Sequence, residues 1–196
     1  MKKSWIILAA IGLLVIILFM WVKNGYNQMV TYNESVSKAW SDVENQYQRR
    51  MDLIPNLVNT VKGYADFEKS TLTAVIEARA KATQVTIDPS KLNAQSMQQF
   101  QQAQGELSGA LSRLMVTVER YPDLKANQSF LDLQSQLEGT ENRIAVERRN
   151  FNDAARIYNT YIKRFPNLFF ARSFGFEEKA YFEADKTAAQ PPKVQF

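Results

Sequence analysis

A serine and a lysine one helical turn apart are the first residues of this chain that could act together. Ser35-Val36-Ser37-Lys38 has the S-x-x-K spacing of acylating enzymes, in which the lysine amine sits beside the serine hydroxyl. That chemistry also needs a Ser-Asp-Asn or Lys-Thr-Gly partner, and the sequence has neither. Histidine and cysteine are both absent, which excludes His-based triads, thiol catalysis, disulfides and the usual zinc and di-iron sites. Paired carboxylates occur at Asp42/Glu44, Glu138/Glu141 and Glu177/Glu178, but none has calcium-loop spacing or marks a cleft for glycoside chemistry. The residues thus nominate no catalytic group, cofactor or metal ligand, and Ser35 and Lys38 read as a polar helical face.

Other polar residues interrupt apolar rows: Asn33, Asn56, Glu68 and Arg79 early, then Glu141, Asn142, Arg148 and Asn159. Glu141 and Arg148 fall one heptad apart on the same face of one helix. A charge in a buried row persists only when paired, so these two are expected to form a structural ion pair that fixes helix register.

The elements that must position these groups are helical throughout. The chain of 196 residues has only 7 glycines and 6 prolines, and no segment alternates with the period of a strand. Phe130, Leu133, Leu137, Ile144, Phe151, Ala155, Tyr158, Ile162 and Phe165 form one stripe of period near 3.5, with Asn127 as its cap and Pro166 as its stop. Phe100, Ala103, Leu107, Leu111, Leu114, Val118 and Tyr121 form another, opened by a glutamine-rich stretch from Gln95 to Gln104. Residues 24–86 keep helical phase across Pro55. Length matching favours a break between Arg50 and Pro55, with Asp52 as a cap, giving helices of about 27, 34, 27 and 37 residues and an antiparallel up-and-down four-helix bundle. The alternative is one long first helix kinked at Pro55.

Residues 5–22 are uninterrupted apolar residues, about 27 Å as a helix and close to the hydrocarbon thickness of a bilayer. Trp5 and Trp21 stand at its ends, where amphipathic rings prefer the interface, and Lys2, Lys3 and Lys23 flank it. The stretch ends in Phe19, Met20 and Trp21, not in the small residues of a cleavage site, so it reads as a retained anchor. Lys2 and Lys3 place the N-terminus in the cytoplasm and the body outside it, in a single-pass inner (plasma) membrane protein. Of the 24 basic residues these three belong to the anchor, which leaves 21 against 20 acidic ones. With the body so nearly neutral, charge gives no reason to expect nucleic-acid binding.

The organisation expected is an anchor (1–23), a helical bundle (24–166), an aromatic-rich segment (167–186) and a flexible tail (187–196). Residues 165–182 hold six of the 12 phenylalanines. They either cap the open end of the bundle or form a contact surface, in which case Phe169, Phe170, Phe174 and Phe176 meet membrane lipid or a second copy in a homo-oligomer.

The runs Ala39-Trp40, Arg49-Arg50-Met51-Asp52-Leu53-Ile54-Pro55-Asn56-Leu57-Val58 and Val61-Lys62-Gly63-Tyr64 resemble the LemA family. So do Tyr121-Pro122-Asp123-Leu124-Lys125-Ala126-Asn127, Leu137-Glu138-Gly139-Thr140-Glu141-Asn142-Arg143-Ile144-Ala145, Tyr158-Asn159 and Phe165-Pro166. The resemblance implies a single-pass membrane protein with an antiparallel four-helix body, in a family with no established enzymatic activity. A magnetosome relative within that family implies a part in membrane organisation. The function expected is a self-associating membrane-anchored scaffold; the alternative is a monomeric extracytoplasmic module that binds an unidentified protein partner.

Overall fold

The computed structural model describes residues 2–64 and 67–183, with side chains from Trp5 onward. The expected tail (187–196) and the side chains of Lys2 and Lys3 lie outside the described residues. All regular structure described is helical: α1 (Lys2–Lys62), α2 (Lys69–Gln84), α3 (Ala94–Val118), α4 (Pro122–Lys125), α5 (Gln128–Lys163) and α6 (Asn167–Ser173), with a 3-10 turn at Pro89–Lys91.

The break expected between Arg50 and Pro55 does not occur. α1 continues through Pro55 for 61 residues in all. A proline there removes the amide that would bond to the Met51 carbonyl. Arg79 on α2 replaces it, its Nε donating to Met51 O at 2.9 Å. The chain turns instead just beyond Lys62. Phe67 buries itself in this turn against the ring of Tyr121, 4.9 Å away. The Tyr64 hydroxyl accepts from Asn127 Nδ2 at 3.2 Å, tying the turn to the start of α5. The helices are therefore unequal, with 16 residues in α2, 25 in α3 and 36 in α5, where length matching anticipates similar lengths.

Arg79→Met is expected to cost about 1–3 kcal/mol, because the Met51 carbonyl loses its donor on a buried face. In a Pro55→Ala background the restored backbone amide should remove most of that loss. Urea unfolding of the full chain in micelles measures both; an equal loss in the two backgrounds would contradict the substitution of one donor for another.

α1 and α5 form the spine of the body and run antiparallel. Phe130 and Leu137 of α5 share a core with Met51, Ile54 and Val58 of α1. Further along α5, Phe151, Ala155, Tyr158 and Ile162 share another with Met29, Val36, Trp40 and Val43. α2 and α3 pack together on the end remote from the apolar stretch. Asn93 caps α3, and Asn127 caps α5 as its position suggests, accepting from Phe130 N at 3.0 Å. The stripe read for α5 is buried except at Leu133, which is half-buried, and at its last member, Phe165, which is 82% exposed.

After α6 the chain crosses back over the body without regular structure. Asn159 takes the place of a neighbouring strand: its Oδ1 accepts from Lys179 N at 2.9 Å and its Nδ2 donates to Lys179 O at 2.8 Å. One heptad earlier Asn152 does the same for Phe182, at 2.8 and 3.0 Å. This strap delivers Phe182 into the core, stacked on Trp40 and edge-on to Phe151.

Candidate functional site

Arg50 is the polar centre of the body. It occupies the apolar phase of α1 between Tyr47 and Ile54, so helical spacing forces its side chain inward. Only 1% of it is exposed, and burial on that scale requires a charge partner. The partner is Glu141 of α5, whose Oε1 lies 2.5 Å from Nη1. The same Nη1 donates to Ser108 Oγ at 3.0 Å, and Nη2 donates to Oε1 of the buried Gln104 side chain. The guanidinium also lies over the Tyr47 ring, 5.0 Å from its centroid. One cation thus joins α1, α3 and α5.

Arg148 is placed elsewhere. Its Nη2 donates to the Glu183 carbonyl at 2.9 Å and reaches Gln101 Oε1 at 3.5 Å, while its guanidinium lies 4.7 Å over the Phe182 ring. Glu141 and Arg148 share a face of α5 as expected but take different partners, and the ion pair of Glu141 is with Arg50. The signal for Arg50 was in the sequence, as a charge in the step from Tyr47 to Ile54. Spacing within α5 does not reveal which residue another helix brings alongside.

α3 and α5 diverge beside this seam, leaving a cleft of about 1180 Å³ with Tyr47 and Arg50 at its base and Gln101, Gln102 and Glu141 on its walls. Gly105 and Gly109 leave the α3 wall open, with nothing near enough to meet a β-carbon at either position. Burial pushes the Tyr47 phenol up in pKa, against the opposing pull of Arg148 and Arg50. The base therefore holds a neutral phenol and a neutralised guanidinium. Such a cleft can hydrogen-bond a polar partner. Ser108 faces a guanidinium, which has no lone pair to take its proton.

The other polar groups divert from chemistry in specific ways. Ser35 Oγ donates to the Thr31 carbonyl at 2.9 Å, back into its own helix, while Lys38 is exposed. Glu178 pairs with Lys163 at 2.6 Å. Among the described residues no three carboxylates converge as a metal site would need. Tyr158 donates to the Glu177 carbonyl at 2.9 Å; burial, and then the Glu177 carboxylate, push its pKa up to about 12.

At the other end of the body, residues 5–21 of α1 are exposed on every side. This is the one helix among the described residues long and apolar enough to cross a membrane. Where it leaves that stretch, Trp21 meets Phe170 edge-on at 5.6 Å, and Tyr26 meets Phe174 and Phe176 at 5.2 and 5.6 Å. Phe170 and Phe176 are half-buried there, whereas Phe169 and Phe174 remain 66% and 45% exposed.

Fold and site together define an all-α chain whose body is built directly onto a membrane-length helix. The profile of the LemA family matches residues 39–196, and the chain belongs to that family. It is 28% identical over 186 residues to magnetosome protein MamQ 2 of Paramagnetospirillum magneticum, covering 86% of this chain and 68% of that one. MamQ of Magnetospirillum gryphiswaldense is similar to the same extent. Protein LemA of Metamycoplasma hominis is 26% identical over 163 residues, covering 82% of this chain and 69% of its own. None of these names is that of an enzyme, and they accord with a membrane location for this chain.

Proposed function

We propose that the chain is a non-enzymatic scaffold, anchored in the inner membrane with its body outside the cytoplasm, that self-associates and takes part in membrane organisation. The observation that carries this reading is the unbroken passage of α1 from the apolar stretch into the core. A binding domain that only needs tethering can hang from a flexible linker, but here Met29, Val36 and Trp40 are buried within the same helix that carries the anchor. Such a mount fixes the body's orientation relative to the spanning helix, which an ordered array of copies can use. Relatives named as magnetosome proteins support a role in membrane organisation. Copies meet little electrostatic repulsion, because the body's charges nearly balance.

The cleft between α3 and α5 supports a second reading, a monomeric module that takes a polar protein segment beside Arg50. Mass measurement of the full chain, excised from native membranes with its lipid, separates the two. Self-association predicts particles containing several copies of the 22.5 kDa chain. Single copies throughout would overturn the scaffold and leave the module. A C-terminal reporter active only in the cytoplasm should be silent, and strong signal from it would reverse the orientation.

A further inference from the structure

Among the described residues, nothing covers the apolar face formed by α6 and the residues that lead into it. Phe165, Leu168 and Phe169 are 82%, 44% and 66% exposed, and the rings of Phe165 and Phe169 form an edge-to-face pair at 6.0 Å. The opposite side of α6 is fixed to α1: Ala171 is buried, Phe170 meets Trp21, and a β-carbon at Gly25 would lie 3.6 Å from Asn167 Oδ1. Gly25 follows Trp21 by four residues, about 6 Å along the axis. α6 is thereby held level with the first turn beyond the apolar stretch. If α1 crosses the bilayer, that level is the headgroup layer.

From this juxtaposition we propose that α6 is an interfacial foot, with Phe165, Leu168 and Phe169 seated at the boundary of headgroups and acyl chains. The proposal rests on the anchor reading of α1. The occupant follows from continuity: α6 packs through Phe170 on Trp21, where the lipid-facing surface of α1 ends, so its exposed surface lies beside that end. The charge around it is of the right sign, since Lys23, Arg164 and Arg172 are exposed at the same level and suit phosphate groups. Aromatic side chains with flanking Arg and Lys are the composition that interfacial segments use, whatever their length. Two points of attachment, the spanning helix and the foot, stop the body from rotating about α1.

The absence of cysteine makes site-directed spin labelling direct. Full-length chains carrying Phe169→Cys, Val116→Cys or Leu13→Cys are labelled and placed in vesicles of phosphatidylethanolamine and phosphatidylglycerol. Position 116 is 72% exposed on the remote part of α3, and position 13 lies within the apolar stretch. The foot predicts that position 169 favours oxygen over a water-soluble nickel complex, at a depth of about 5–10 Å, between the values at 116 and 13. A position 169 as aqueous as 116, with 13 in lipid, would overturn the foot and leave the anchor intact. An aqueous position 13 would overturn the anchor and the foot with it. Spin–spin broadening at 169 that disappears on dilution with unlabelled chain would assign the patch to a second copy and overturn the lipid assignment.

Discussion

Glu141→Ala is expected to destabilise the body by about 3 kcal/mol, the lower end of the range for breaking a buried ion pair. The low end applies because the Glu141 side chain is 45% exposed, so water replaces part of what Arg50 loses. Arg50 itself is only 1% exposed, so it keeps most of the desolvation cost when its partner is removed. Arg50→Met should be at least as damaging, since it also strips the donor from the buried Gln104. The double change Arg50→Met with Glu141→Ala should cost less than the two single losses added, because neither charge is then left alone. Arg148→Met serves as the comparison: it loses partly exposed hydrogen bonds to Gln101 and to the Glu183 carbonyl and the contact over the Phe182 ring, together worth about 1–2 kcal/mol. Denaturant midpoints of the full chain measure all four. An Arg148→Met loss as large as that of Glu141→Ala would remove Arg50 from the centre of the seam.

Trp40→Ala should cost about 3–5 kcal/mol, the range for deleting a fully buried aromatic side chain. Trp40 is 0% exposed and meets Phe100, Phe151 and Phe182 at ring distances of 5.3, 5.6 and 5.9 Å. Its loss should also have a local signature. Phe182 is held by Trp40 on one side and by Asn152 on the other, so the strap should loosen before the helices do. Hydrogen exchange at the Phe182 amide is expected to accelerate more than at amides in the middle of α5. Equal acceleration at both would mean that the strap and the helices form one cooperative unit.

The all-helical architecture was legible because the apolar periodicity of α3 and α5 is long and nearly unbroken, and almost every member of both stripes is buried. The path through Pro55 was ambiguous for a physical reason. Local sequence shows the missing amide at Pro55 but not Arg79, which approaches from another helix and satisfies the carbonyl the proline leaves unbonded. Glu141 and Arg148 illustrate the same limit. Their shared face was readable, whereas their partners depend on where α1, α3 and the C-terminal strap come to lie. Asn152 and Asn159 were harder still, because asparagines holding an extended strap have the same spacing as asparagines on a solvated helical face. The aromatic cluster beyond α5 divides by depth: Phe182 enters the core, Phe170 and Phe176 brace α1, and Phe165 and Phe169 remain outside. Composition alone does not divide it.

The central claim is that the apolar stretch and the body form one rigid unit, because a single helix builds both. The most direct test is the distance between spin labels at Leu18→Cys, in the apolar stretch, and Arg149→Cys, on the exposed side of α5, in lipid nanodiscs diluted with unlabelled chain. A rigid mount predicts one narrow distance distribution, unchanged between detergent and lipid. A broad or multiple distribution would mean that the helix bends between anchor and core, and the body would then be tethered to the membrane instead of mounted on it.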